Sequence, residues 1–210
     1  MPSTQGQIYF FHWAKLYYLS TLYLKINPTI MEEGLASKYG LKFGGYAAAF
    51  TVTYGILGYL IGVEMYAQGW LGILVAAITI GILVVGVLQA RKETTLENGF
   101  SFKTSFSTFI IASLVPIVAG IAFNILLFHV IDPDFATLVE EALIKSTVGT
   151  MEKFGVPQAS IDETVDEMLQ ESRFSIKNQL MGLPMGLIFY AIVGLIVAAA
   201  TKRKPSFFNE

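Results

Sequence analysis

Four carboxylates that follow the third apolar stretch of the chain have the spacing best suited to ion chemistry. They are Asp132, Asp134, Glu140 and Glu141. A hard cation takes about six or more oxygen ligands, so this group would hold one only weakly. A helix cap at Asp132 and a solvated helix face account for the same carboxylates. We therefore predict neither a metal site nor a cofactor.

Two polar side chains, Asn124 and His129, interrupt the third apolar stretch itself. Intramembrane polar groups are costly and often functional, for example along a solute pathway. A single asparagine also commonly links helices through a hydrogen bond worth on the order of 1 kcal/mol. His129 lies close enough to the end of the stretch to reach the interface. Both are candidate intramembrane polar residues, with a structural role favoured.

This sequence contains no recognisable set of residues for covalent catalysis. The chain has no cysteine, which excludes disulfides, thiol nucleophiles and thiolate metal sites. The topology derived below places His12 and His129 on opposite sides of a membrane, and no serine can be placed with both a histidine and a carboxylate. The glycines lie in apolar segments rather than in a phosphate-binding loop. We predict that the chain is not an enzyme.

The elements that carry these residues are strongly apolar. Of 210 residues, 54% are hydrophobic and only 14% are charged, with a mean hydropathy of +0.58. Soluble domains carry about 25% charged residues, so this composition indicates an integral membrane protein. No basic stripe is present, and nucleic acid is not an expected partner.

Four stretches are long enough to cross a bilayer as helices, which takes roughly 20 apolar residues. They span residues 39–63, 70–89, 107–130 and 180–200. Small residues, glycines among them, recur at steps of three and four along them, a pattern that lets lipid-embedded helices approach closely. We predict helix-packing roles for one set of these glycines: Gly44, Gly55, Gly58, Gly62, Gly120, Gly186 and Gly194.

The segment 131–179 differs in character, with ten acids against four bases. Asp132 and Pro133 predict the start of one helix, and Gly155 predicts its end. A capping box from Ser160 to Glu163 predicts the start of a second. The inner face of this second helix is predicted to include Ile161 and Leu169. The fold class is therefore an all-α membrane protein, with four transmembrane helices and a two-helix extracytoplasmic loop.

Positive charges are segregated to one side of this arrangement. The bases near span ends on that side are Lys38, Lys42, Arg91, Lys92, Lys103, Lys202, Arg203 and Lys204. The positive-inside rule assigns that side, with both termini, to the cytoplasm, and it places the acidic loop outside.

The chain divides into three segments. Residues 1–36 are rich in aromatics and are expected to be an interfacial helix, a disordered segment or a non-native extension, since Met31 would make a plausible translation start. Residues 37–204 form the four-span membrane domain, and residues 205–210 a short cytoplasmic tail.

Several short sequences within 37–204 resemble a known family in their order and spacing. They are KYGL at 38–41, RK at 91–92 ahead of NGFSF at 98–102, DPDF at 132–135 and KRK at 202–204. The chain resembles the bacterial membrane family catalogued as domain of unknown function 4199, found mainly in Bacteroidota. The resemblance implies four helices, an inner membrane and no assigned activity.

Two functions remain open at this point. The favoured one is a structural or accessory subunit, which presents the 131–179 loop to a membrane or periplasmic protein partner. The alternative is a small oligomeric transporter or channel for a small solute or ion, in which Asn124 and His129 would line water. The lipid bilayer is a partner in both, and homo-oligomers are compatible with both.

Overall fold

The computed structural model describes residues 28–94, 99–170 and 172–204, with side chains described from Glu33 onward. These residues are nearly all helical. The helices are α1 (Pro28–Ile61), α2 (Val63–Ala67), α3 (Gly69–Glu93), α4 (Phe102–Leu126), α5 (Pro133–Lys153), α6 (Gln158–Gln170) and α7 (Ile176–Thr201). A π-helical turn, Leu127–Ile131, extends α4. Among the described residues there is no β-strand, only an isolated bridge between Phe100 and Arg203.

Four of these helical segments are long and apolar enough to cross a membrane: Glu33–Ile61, Gly69–Glu93, Phe102–Ile131 and Ile176–Thr201. The predictions of an all-helical fold and of four helices suited by length and composition to span a membrane are confirmed. The helices are longer than the predicted apolar stretches, because polar caps extend them beyond the hydrocarbon. Ser101, for example, accepts a hydrogen bond from the Thr104 amide at the start of α4.

The third span is the centre of the bundle, since α4 packs against α1, α3 and α7. Phe109 and Ala112 of α4 are fully buried, as are Leu83 and Val87 of α3 and Ala47 of α1. Outward-facing residues of all four spans are large and apolar, as expected for surfaces that contact lipid.

Four of the glycines predicted as packing residues lie where a side chain would clash. A Cβ on Gly44 would come within 2.6 Å of the Ala112 carbonyl oxygen, and one on Gly194 within 3.0 Å of the Phe109 ring. Gly55 and Gly58 face aromatic rings just as closely. Gly44 therefore lets α1 approach the backbone of α4, Gly55 and Gly194 make room for phenylalanine rings of α4, and Gly58 makes room for the Tyr66 ring of α2.

The other three predicted packing glycines have different surroundings. Gly62 has φ of +123° and open space around it, and it separates α1 from α2. Its role is conformational, because an L side chain rarely adopts that φ. Gly120 also has nothing within 4 Å of a built Cβ, and Gly186 makes only an ordinary contact with Ile117.

One end of the bundle gathers the basic residues. Lys38 of α1 forms an ion pair with Glu93 of α3 at 3.7 Å, and the Tyr39 hydroxyl donates to Glu93 at 2.5 Å. Phe100 and Arg203 exchange two backbone hydrogen bonds of 2.8 Å. The start of α1, the link after α3 and the chain after α7 therefore lie at the same end.

The prediction for the start of α6 was wrong. The helix begins at Gln158, two residues before the predicted cap, and the Ser160 amide donates to the Pro157 carbonyl at 3.0 Å. Since the carbonyl of Pro157 already begins the hydrogen-bond ladder, Ser160 lies inside the first turn. Leu169, predicted on the inner face, is 66% exposed, whereas Ile161 is buried as predicted.

The predictions for the N-terminal segment and the C-terminal tail fall largely outside the described residues. Residues 1–27 and 205–210 lie outside them, so the expectations for the aromatic segment and the tail stay predictions. Helix α1 is already formed at Pro28, ahead of Met31.

Candidate functional site

The end of the bundle opposite the basic residues carries α5 and α6, which we call the acidic module. Asp132 anchors its first turn in two ways. One carboxylate oxygen accepts from the Phe135 amide at 3.0 Å, and the other accepts from the Tyr59 hydroxyl at 3.1 Å. Gly155, with φ of +70°, ends α5. The predicted cap at Asp132 and the predicted helix end are thus confirmed.

A cluster of aromatic rings holds the acidic module against the spans. Phe135 of the module packs edge-on against Tyr59 and Tyr66, with ring centroids 5.0 and 5.8 Å apart. Phe128, only 3% exposed, contacts Phe174 at 4.2 Å between centroids. A hydrogen bond of 2.8 Å from Ser146 to the Ala67 carbonyl adds a polar attachment further along α5.

Tyr66, in the short helix α2, is the titratable group most affected by this packing. Burial raises the pKa of its phenol to about 12, and the nearby Tyr54 phenol adds to the rise. The hydroxyl donates to the Gly55 carbonyl at 2.8 Å, so the neutral form is satisfied where it lies. The residue therefore acts as a neutral packing and hydrogen-bonding group at physiological pH.

We expect this burial to appear as a stability change at high pH. An unfolded chain ionises tyrosine near pH 10, whereas folded Tyr66 does so only near 12. The stabilisation by neutral Tyr66 is complete below about pH 10 and is lost as the pH rises through about 12. Phenolate absorbance is measured against pH for the native protein and for Tyr66→Phe. The difference between the two curves is the titration of Tyr66, and it should show a step near pH 12. A step near pH 10 would contradict the burial.

The outer surface of the acidic module is strongly negative. Seven of its acids are exposed: Asp134, Glu141, Glu152, Asp162, Glu163, Asp166 and Glu167. None of them forms an ion pair with a base of the described residues. Two large apolar side chains, Phe154 at 82% and Leu169 at 66% exposure, lie on the same module. This combination is typical of a surface that meets a positively charged partner.

The carboxylates considered for cation binding are not assembled into a site. Asp132 caps α5, and Glu140 accepts hydrogen bonds from Ser172 and from the Phe174 amide. Asp134 and Glu141 are exposed. Within the residues that the structure describes, no group of three or more histidines or acids is placed to hold a metal ion.

Asn124 and His129 are not brought together at a cavity. Asn124 is half-buried in the last turn of α4, and its backbone carbonyl accepts a hydrogen bond from the Leu127 amide. His129 is exposed on the π-helical turn, at the end of the bundle that carries the acidic module. The residues are therefore separate features of one span end, and their predicted roles remain predictions.

A cavity that no sequence pattern predicted lies between the acidic module and the start of α7. It has a volume of about 670 Å³ and includes Glu140, Glu167, Arg173, Met181 and Met185 in its lining. Smaller cavities lie beside α2 and α5, and at the basic end next to Arg91 and Lys92. Sequence reasoning missed the large cavity because its walls come from three elements distant in the chain.

Three apolar helices packed around a fourth, α4, with the α3–α4 link at one end and with α2 and the acidic module at the other, are the arrangement of a multi-pass helical membrane protein. The chain belongs to a family of proteins of unknown function, DUF4199, whose model matches residues 38–203. The resemblance inferred from the sequence over 37–204 is thereby confirmed. No curated protein and no solved structure matches the chain.

Proposed function

We propose that the protein is a non-catalytic interaction subunit of a bacterial inner membrane, which presents the acidic module to a basic segment of a partner protein outside the cytoplasm. The basic end of the bundle, with both termini, faces the cytoplasm in this proposal. The charge distribution supports this orientation, because lysines and arginines next to spans are retained on the cytoplasmic side.

The single observation that carries the proposal is the exposed acidic surface on a firmly attached module. Asp132, Ser146 and the aromatic rings fix α5 to the spans, so the module is presented in a defined position. Its seven exposed carboxylates have no basic partner in the described chain. A lysine- or arginine-rich segment would complement them and would be steered toward them from a distance.

The test begins from the absence of cysteine, which makes any introduced thiol unique. We expect a membrane-impermeant maleimide to label Asp166→Cys on intact cells, and Lys204→Cys only after the membrane is opened. A photocrosslinking amino acid at Asp166 should then capture one protein whose linked peptide is rich in Lys and Arg. The adduct should not form when the sample is irradiated in about 0.5 M salt, because the attraction between exposed charges is strongly screened there.

The matched control is the same photocrosslinker at Ile196, which is 66% exposed on a span and should capture lipid rather than the basic partner. Neutralising Asp162 and Glu163 together, to Asn and Gln, should weaken capture at Asp166 without changing the fold. Adducts that contain only this chain, or that still form both in salt and after neutralisation, would contradict the proposal. Labelling of both cysteines from the same side would contradict the orientation.

The transporter alternative depends on Asn124, since His129 is exposed whether or not a pathway exists. If Asn124 lined a water-filled pathway, Asn124→Cys would react with the impermeant maleimide. The interaction-subunit proposal expects Asn124→Cys to stay unlabelled, because the residue is half-buried within the span.

A further inference from the structure

A cavity lies at the boundary between the acidic module and the fourth span. It measures about 670 Å³, within the range of small-molecule sites. The walls come from α5, from α6, and from the first turns of α7 with the residues just before it. It shares Glu167 with the outer acidic surface and lies apart from the packed centre around α4.

The cavity extends from headgroup depth into hydrocarbon depth. Helix α7 has 26 residues and is therefore roughly 39 Å long. The hydrocarbon core of a bilayer is about 30 Å thick, so each end of α7 extends about one turn beyond the hydrocarbon. Arg173 and Asn178 therefore lie at the headgroup level. Met181, Gly182 and Met185 lie deeper, where acyl chains surround the span, and Met181 and Met185 are 63% and 70% exposed.

The two levels of the cavity differ in chemistry in the same way as a phospholipid does. The outer level carries the carboxylates of Glu140 and Glu167 together with the guanidinium of Arg173. The inner level is lined by methionines, whose flexible thioethers adapt to irregular apolar groups. Arg173 forms no ion pair with the acids of the described chain.

We propose that this cavity binds a zwitterionic aminophospholipid of the leaflet in which it lies. The Glu140 and Glu167 carboxylates accept hydrogen bonds from the ammonium of the headgroup, and Arg173 donates to the phosphate. One acyl chain lies along Met181 and Met185, next to the open side of Gly182. An anionic lipid without an amine would meet two carboxylates and bind less well. This inference needs only that the chain spans a membrane and does not depend on a protein partner.

Gly182 offers a direct test, because nothing lies within 4 Å of a Cβ built there. A Gly182→Leu side chain enters the cavity without striking the protein. Gly81→Leu is the matched control: Gly81 is also an exposed glycine of a span with open space around it, but it lies in α3, away from the cavity. Both variants are checked for native helix content before lipids are measured.

The probe is a vesicle with equal amounts of dioleoyl phosphatidylethanolamine and dioleoyl phosphatidylglycerol. The protein is reconstituted, extracted in mild detergent and analysed for retained lipid by mass spectrometry. We expect phosphatidylethanolamine to be enriched about fivefold, the ratio that one favourable charge contact supports. Gly81→Leu should keep this enrichment and Gly182→Leu should lose it. Joint Glu140→Gln and Glu167→Gln substitution should remove the preference while phospholipid is still retained.

Three outcomes would overturn the inference. The first is that the two lipids are retained in the same ratio as in the vesicle, which would indicate only the general shell of lipid around the spans. The second is equal retention by Gly182→Leu and Gly81→Leu, which would locate the bound lipid elsewhere. The third is displacement by glycerophosphoethanolamine, which lacks acyl chains and would indicate a water-soluble ligand instead of a lipid.

Discussion

Phe128→Ala should detach the acidic module from the bundle while leaving the four spans in place. The ring is 3% exposed, and it contacts Phe174 at 4.2 Å and stacks on Phe135 at 6.2 Å between centroids. Truncating such a buried aromatic costs about 3–5 kcal/mol, because the site loses both the burial and the surrounding contacts. Hydrogen exchange of the α5 amides should then accelerate far more than that of α4 amides.

Phe154→Ala is the matched control, since this phenylalanine of the same module is 82% exposed. Its truncation should change stability by no more than about 0.5 kcal/mol. If Phe128→Ala and Phe154→Ala gave the same exchange profile, the aromatic cluster would not be what attaches the module. The acidic surface would then lack the fixed position on which the proposed function depends.

Gly44→Ala and Gly45→Ala, adjacent in α1, should have opposite effects on the stability of the bundle. A Cβ at Gly44 would lie 2.6 Å from the Ala112 carbonyl oxygen and 2.8 Å from a Val115 methyl group. Because one of these atoms belongs to the backbone of α4, the helices must separate, and overpacking of this kind costs about 1–3 kcal/mol. Gly45 faces open space, so its alanine gains up to about 1 kcal/mol of helix propensity.

The measurement is the unfolding of each variant by sodium dodecyl sulfate in mixed micelles, followed by circular dichroism. We expect a difference of about 2–3 kcal/mol between the two alanine variants, in favour of Gly45→Ala. Equal midpoints would show that α1 and α4 are not in backbone contact at Gly44. The comparison is internal, because both changes add one methyl group to neighbouring residues of the same helix.

Features with a local cause were predictable from this sequence. The four spans follow from runs of apolar residues that need no distant partner, and the cap at Asp132 follows from Asp132, Pro133 and the next few amides. The start of α6 was misjudged because Pro157 begins the hydrogen bonding before the better-known cap signal at Ser160. Pro157 and Ser160, the two competing signals for the start of the helix, are three residues apart.

Features that join distant parts of the chain were beyond the sequence. The aromatic cluster combines Tyr59, Phe128 and Phe174, whose types alone fit a lipid-facing position equally well. The cavity between the acidic module and the start of α7 also joins distant residues, since Glu140 and Met181 become neighbours only when α5 lies over the start of α7. Leu169 was assigned to an inner face by periodicity, but the short α6 covers only the region around Ile161.

The pair of backbone hydrogen bonds between Phe100 and Arg203 has a consequence for the order of assembly during synthesis. Arg203 leaves the ribosome after every span has been made, so the two hydrogen bonds to Phe100 cannot form while the first three helices insert. The fourth helix then brings Arg203 to the same end, where its guanidinium also donates to the Thr94 carbonyl at 2.8 Å. Closure of the bundle is therefore a late, post-insertion event that joins the α3–α4 link to the last helix.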